Sequence, residues 1–158
     1  MAADLFVDLS TLNLDRLVVT QGEIYQTLPH RFEFMQLDGI VHMDKERMLA
    51  VALREVREGE FWTRGHIPGR PLLPGVLMIE TAAQLAAYTT HLLLPHSDRF
   101  WGFGGVDAVK FRAAVTPPAR MYFILKGLDV RPRRSVADVQ GVLDGKLAFE
   151  GRVTGMPV

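Results

Sequence analysis

Two side chains in this sequence are placed to move protons. His66 lies in Gly65-His66-Ile67-Pro68-Gly69-Arg70-Pro71-Leu72-Leu73-Pro74-Gly75, a stretch stiffened by prolines 68, 71 and 74. Proline restricts a loop before it folds, so an imidazole there is held in place at small entropic cost. Imidazole titrates near neutrality and suits general-base work. Glu80 lies in the apolar run that follows, from about Val76 to Leu94. A carboxylate buried without a partner is costly, so it needs either a partner or a task. Apolar surroundings favour the protonated carboxyl, which can donate a proton.

Two further groups complete a constellation. Gln84 is one helical turn beyond Glu80 on the same face and can orient that carboxyl. Gly75 stands where the helix begins. Its bare N–H can approach a ligand with the positive end of the helix dipole behind it, which suits a carbonyl oxygen gaining negative charge. Base, acid and oxyanion donor together fit removal of a proton α to a carbonyl while a β-hydroxyl leaves as water. The residues alone also allow hydration, isomerisation or thioester hydrolysis. Taken singly, Glu80 or His66 is more often structural. Phe61 and Trp62, just before the loop, either wall a pocket or pack the core. His30, in Leu28-Pro29-His30-Arg31-Phe32, is a weaker candidate, since a lone histidine beside proline more often makes local hydrogen bonds.

Several elements must position these groups. Gln21–Leu28 reads as a short helix stopped by Pro29. Ile40–Asp44 and Met48–Val56 read as strands around a polar turn. Pro74-Gly75 opens the long helix and Pro95 ends it. That helix is apolar almost all round, so it is buried on most faces. Its length would also fit a membrane span, but Glu80, Gln84, Thr89, Thr90 and His91 argue against one. Phe100–Val115 reads as a long strand whose glycines 102, 104 and 105 suggest a bulge or a close backbone approach. Met121–Val130 is the next strand. Ser135–Leu143 and Lys146–Gly155 form a hairpin around Asp144-Gly145, a strong two-residue turn signal. One buried helix with five or six strands, the later ones joined by short turns, predicts an α+β fold with an antiparallel sheet curled round the helix.

Bulk properties set the limits. The chain has 158 residues, 48% of them hydrophobic, enough for one domain with a real core. There is no cysteine, hence no disulfide framework and no thiolate metal site. Without cysteine or a secretory leader pattern at its start, the chain is expected in a reducing, cytoplasmic setting. Net charge is zero but uneven: residues 1–60 carry 6 Lys+Arg against 11 Asp+Glu, and residues 61–158 carry 12 against 7. A basic rim round a pocket would attract an anionic partner, although from charge alone chance asymmetry between solvated faces is the favoured reading.

The stretch from Gly65 to Glu80 resembles the signature Gly-His-Phe-Pro-x-x-Pro-x-Met-Pro-Gly-Val-Leu-x-x-Glu of the β-hydroxyacyl-[acyl-carrier-protein] dehydratases of the FabZ type. Gln84, Leu28–Phe32, Val109–Arg112 and Asp144–Ala148 match as well, so the resemblance covers roughly residues 23–154. It implies a hot-dog fold, with an antiparallel sheet wrapped around one long central helix. It also implies a homodimer, or a hexamer of three dimers, in which His66 of one chain faces Glu80 of the other. The implied reaction is dehydration of a (3R)-hydroxyacyl chain, carried by acyl carrier protein, to the trans-2-enoyl form in fatty acid biosynthesis. In it His66 takes the C2 proton, Glu80 helps expel the hydroxyl, Gly75 N–H holds the thioester carbonyl and the Leu72 carbonyl fixes the His66 tautomer. No metal or organic cofactor, no nucleic acid and no membrane span is implied. The alternatives are a hot-dog thioesterase, a dehydratase of polyketide or specialised lipid synthesis, and a non-catalytic acyl-binding protein.

The chain departs from the family pattern in places. Ile67 and Leu73 stand for the usual Phe and Met. Phe100-Trp101-Gly102-Phe103 occupies the region where some members place a tyrosine gate. Residues 1–22 have no family counterpart and are expected as an extension preceding a domain at 23–158. Basic candidates for docking the carrier protein are Lys110, Arg112, Arg120, Arg131, Arg133 and Arg134.

Overall fold

Thr20 and Glu23 cap each other at the start of the first helix. The Glu23 backbone N–H donates to Thr20 Oγ1 at 3.3 Å, and the Thr20 N–H donates to Glu23 Oε2 at 2.7 Å. This reciprocal capping satisfies two N–H groups that no helix can bond internally. It opens α1, Gln21–Thr27, within one residue of the span read from the sequence. Ile24 and Tyr25 face inward from it.

The computed structural model describes residues 4–158. Seven strands form one antiparallel sheet: β1 (Val19–Thr20), β2 (Gly39–Asp44), β3 (Leu49–Val56), β4 (Trp101–Phe111), β5 (Ala119–Arg131), β6 (Arg134–Leu143) and β7 (Lys146–Pro157). Their order across the sheet is β1-β2-β3-β5-β6-β7-β4. The long helix α2, Gly75–Leu93, enters the chain between β3 and β4 and packs against β3 to β7. Leu77, Met78, Ala82 and Leu85 share one core with Phe123, Val139 and Phe149 of the sheet. Leu85 is fully covered, a burial that contributes about 1.5–3 kcal/mol. This is the hot-dog arrangement expected above.

Two details differ from the sequence reading. Among the described residues the strand count is seven, because β1 is two residues long and too short to carry an alternating pattern. The strand expected over 100–115 stops at Phe111. There the Arg112 and Ala113 N–H groups both turn to the Ala148 carbonyl, at 2.7 and 3.3 Å, and the ladder ends. The expected irregularity in that strand is present, with register shifts between Phe103 and Gly105 and between Asp107 and Lys110. A Cβ on Gly104 would lie 3.0 Å from Met156 Sδ, so a larger residue there would require the exposed Met156 side chain to shift. Asp144 (φ 50°) and Gly145 (φ 74°) both adopt left-handed backbone, as the tight turn between β6 and β7 demands.

The other face of the sheet carries a second apolar cluster: Val41, Leu49, Val51, Leu53, Ile124 and Val142. Leu9 is buried with them, and Leu5, Phe6, Val7, Leu12 and Leu14 pack over it. Gln140 grips this strap at both ends of its amide. The Phe6 N–H donates to Gln140 Oε1 at 2.9 Å, and Gln140 Nε2 donates to the Asp4 carbonyl at 3.0 Å. The segment expected as an N-terminal extension therefore lies along the sheet; within it Val19–Thr20 form β1, and Gln21-Gly22 open α1. Residues 1–3 lie outside the described residues.

Candidate active site

Glu80 sits in the second turn of α2, on the stripe of the helix that the sheet does not fully cover. Its side chain is 22% exposed, so it faces a cavity rather than closed core. The cavity measures about 130 Å³. Ala83, Ala86 and Ala87 form its floor, and Phe100, Trp101, Phe103 and Val153 form its walls. The small side chains following Glu80 along the helix leave the room; larger ones would fill it.

Gln84 holds the carboxyl as the i, i+4 spacing predicted, its Nε2 donating to Glu80 Oε1 at 2.8 Å. Gln84 is itself fixed, being 1% exposed with every polar position used. Its Oε1 accepts from the Tyr25 hydroxyl at 2.6 Å and from the Gln36 N–H at 3.2 Å. Its Nε2 also donates to the Phe34 carbonyl at 2.8 Å. The Tyr25 oxygen accepts from the Leu37 N–H at 2.9 Å. Burial pushes the Tyr25 phenol well above its ordinary range, so it remains a donor. A chain of donors thus runs from the loop at 34–37, through α1, to one oxygen of Glu80.

His30 joins this group. Its Nε2 stands 3.5 Å from Glu80 Oε1, and its ring lines the same cavity. The ring lies between Tyr25, met edge-on with centroids 6.5 Å apart, and Phe100 at 6.0 Å. Burial lowers its pKa below the ordinary 6.5, outweighing the opposite pull of Glu80.

His66 belongs to a separate cluster. Its Nδ1 lies 2.7 Å from the Leu72 carbonyl oxygen. A carbonyl can only accept, so Nδ1 carries the proton and the lone pair of the neutral ring is on Nε2. The ring is exposed. Its loop is tied down at several points. The His66 N–H donates to the Trp62 carbonyl at 2.8 Å, and the Leu73 N–H to the Val115 carbonyl at 2.8 Å. Ile67 holds φ at 55°. For a β-branched residue that conformation is an outlier, and such strain gathers at functional sites.

Arg54 and Glu60 anchor the start of this loop. The Arg54 side chain is 4% exposed and forks onto Glu60, at 2.7 and 3.1 Å. Glu60 Oε2 also accepts from the Trp62 indole at 2.8 Å. The sequence reading missed this pair, although an arginine inside the apolar strand Leu49–Val56 was a signal for a buried partner. Trp62 is buried in the core, whereas Phe61 is exposed beside a surface hollow shared with Arg54, Arg57 and Gln36.

Gly75 is the first residue of α2, and a Cβ there would lie 2.8 Å from two ring atoms of Phe111. Within one chain, then, Glu80 meets Gln84 and His66 meets Leu72. The cavity at Glu80 contains none of His66, Leu72, Gly75, Phe61 or Trp62. Among the described residues, no group of three or more His, Asp or Glu side chains is gathered to hold a metal ion. No helix among them is long and apolar enough to cross a membrane.

A model of the FabA-like domain matches residues 28–152. This chain belongs to the FabA-like family. The FabA-like chain is 35% identical over 139 residues to the 3-hydroxyacyl-[acyl-carrier-protein] dehydratase FabZ of Enterococcus faecalis, covering 87% of this chain and 97% of the relative. It is 31% identical over 136 residues to the FabZ of Ruminiclostridium cellulolyticum, covering 86% and 95%. In fold it resembles the dehydratase heterocomplex ApeI:P of Xenorhabdus doucetiae, with a TM-score of 0.71 at 16% identity over 90% of this chain and 93% of that one. It also resembles the thioesterase HI1161 of Haemophilus influenzae, with a TM-score of 0.66 at 15% identity over 88% and 90%. At such identities the last two likenesses speak for the fold alone, which hosts several chemistries.

Proposed function

We infer that this chain is a 3-hydroxyacyl-[acyl-carrier-protein] dehydratase of fatty acid biosynthesis, removing water from a (3R)-hydroxyacyl thioester to give the trans-2-enoyl thioester. The observation that carries this reading is Glu80: a carboxyl held by a buried amide at the floor of a cavity, within the Gly65–Glu80 motif. In the reaction, His66 Nε2 takes the C2 proton while the Gly75 N–H receives the charge gathering on the thioester oxygen. The C3–O bond then breaks, Glu80 protonates the departing hydroxyl, and water leaves as the C2–C3 double bond forms. Both groups return to their starting states by exchange with solvent.

His66 and Glu80 act together, in this reading, across a pair of identical chains. The edge of the sheet supports it. β4 is eleven residues long, stands at the edge of the described sheet beside β7, and exposes Phe103, Val106 and Phe111. An unguarded apolar edge of that length is a template for pairing. A second copy along β4 would continue the sheet and cover those side chains. Three such dimers as a hexamer belong to the same reading, as does a cytoplasmic setting for a chain without cysteine. For the acidic carrier protein, Arg133 and Arg134 at the β5–β6 turn are the first candidates. Lys110 and Arg112 already pair with Glu150, Arg120 with Glu55, and Arg131 with Asp129.

The test is direct. Purified protein is offered 3-hydroxyacyl thioesters of several lengths, free and carrier-bound, while enoyl thioester and free thiol are both followed. Enoyl product lost in Glu80→Gln and His66→Ala supports the reading. Thiol release without enoyl product would identify a thioesterase instead.

A further inference from the structure

We propose that His30 is a positioning residue for Glu80, donating through Nε2–H to Oε1 and so leaving the acid's proton on Oε2, toward the cavity. The proposal rests on the reading of Glu80 as the proton donor and adds a residue that reading does not use.

Two side-chain nitrogens stand near Oε1. Gln84 Nε2 donates at 2.8 Å, and His30 Nε2 stands at 3.5 Å. The two oxygens of a protonated carboxyl are not equivalent: one is a carbonyl that only accepts, the other bears the proton. Two N–H donors on Oε1 assign it the carbonyl role. The separation at His30 is slightly longer than a hydrogen bond. Catalytic hydrogen bonds are often long before substrate binds and tighten in the complex.

The tautomer follows from what surrounds the ring. His30 Nδ1 is buried and has no hydrogen-bond partner. With the proton on Nδ1, a buried donor would be orphaned and the Nε2 lone pair would face the lone pairs of Oε1. With the proton on Nε2, the donor faces an acceptor and only a lone pair is left unmatched. The second arrangement is the less costly one.

Three features hold the ring in this pose. Pro29 precedes it in the chain. Arg31 Nη1 donates to the Leu28 carbonyl at 2.9 Å and to the His30 carbonyl at 2.7 Å, clamping the backbone on both sides. The ring is gripped between Tyr25 and Phe100. Tyr25 thereby supports both donors, Gln84 through its hydroxyl and His30 through its ring.

The charged groups acting on His30 are Glu80, which favours its protonation, and Arg31, which opposes it; burial opposes it further. His30 and Glu80 are the titratable side chains lining the cavity. A neutral His30 offers Oε1 a donor without placing a full positive charge beside the carboxyl. A protonated His30 would stabilise the carboxylate by direct pairing and withdraw the acid.

Four variants test this in the dehydration assay. His30→Leu removes the donor, and His30→Gln returns an amide N–H near the site of Nε2. His30→Asn places its amide nearer Nδ1 and cannot reach Oε1. His30→Leu and His30→Asn should each lose about tenfold in kcat with KM changed less than about threefold. His30→Gln should stay within about threefold of wild type. An N–H on Oε1 stabilises the ionised carboxylate more than the neutral acid. Its loss therefore moves the alkaline limb of the kcat profile to higher pH, and Gln moves it back. A purely structural histidine would lower the yield of folded protein but leave that limb in place. Should Leu fail to fold, the contrast between Asn and Gln carries the test. Equal kcat and the same alkaline limb in these two overturns the proposal. Glu80→Gln is measured in parallel: turnover surviving there sinks the reading of Glu80 itself, whereas a dead Glu80→Gln beside an unaffected His30→Asn sinks only the role of His30.

Discussion

Replacing Gln84 by Leu should cost stability and catalysis through separable routes, and the structure sets the size of the first. Leucine fits the volume but offers no hydrogen bonds. Gln84 accepts from two buried donors, the Tyr25 hydroxyl and the Gln36 N–H. Stranding a buried polar group costs about 1–3 kcal/mol, so Gln84→Leu is expected to lose about 2–6 kcal/mol. The Phe34 carbonyl adds little, because its bond lies in a partly exposed position where water can replace it. Tyr25→Phe strands the Leu37 N–H and leaves Gln84 Oε1 its bond to Gln36, a loss of about 1–3 kcal/mol. Since both side chains belong to one network, the double variant should cost less than the sum. The measurement is urea unfolding at matched protein concentration, since the stability of the proposed dimer would depend on it. Separately, an unanchored Glu80 carboxyl should lower kcat in folded Gln84→Leu more than in Tyr25→Phe. A stability loss below about 1 kcal/mol in Gln84→Leu would mean that the buried Tyr25 and Gln36 donors find other partners.

Other consequences are checked more briefly. Glu60→Ala leaves the buried Arg54 guanidinium unpaired and should cost about 3–5 kcal/mol in denaturant unfolding, with activity falling as the His66 loop loosens. A chain lacking residues 1–14 should fold with a lower Tm and bind a hydrophobic dye, because Val41, Val51, Leu53, Ile124 and Val142 lose their cover; an unchanged Tm would mean that the strap is not part of the domain. His30 titrates below 6.5 through burial, so the unfolded chain takes up that proton first. Its contribution to stability is therefore complete above about pH 6.5 and is lost as pH falls through the lower folded value. His30→Gln should flatten that acid limb of the stability profile.

Much of the molecule was legible because the deciding signals are local. The Asp144-Gly145 turn, the capped helix α1 and the run from Gly75 to Leu93 are each set by residues within a few positions of one another. The pairing of Glu80 with Gln84 was legible for the same reason, one helical turn being a fixed distance. What escaped is long-range. His30 meets Glu80 from fifty residues away. Before the loop at 28–31 is placed, nothing distinguishes His30 from any histidine beside proline. Arg54 and Glu60 are only six apart, but their pairing depends on the chain reversing direction after β3. The strap at 5–14 carries no clear element signal in the sequence, because its apolar residues follow neither helical nor strand spacing. They are matched to the outer face of the sheet, a surface that exists only once β2, β3, β5 and β6 are paired.

In the proposed enzyme, His66 and Glu80 of neighbouring subunits share one site. His66→Ala and Glu80→Ala, each inactive alone, are mixed in equal amounts under conditions that exchange subunits, and enoyl thioester formation is measured. Half of randomly mixed dimers would carry one intact site of their two, so about a quarter of wild-type turnover should return. No recovery in dimers shown to be mixed would contradict it.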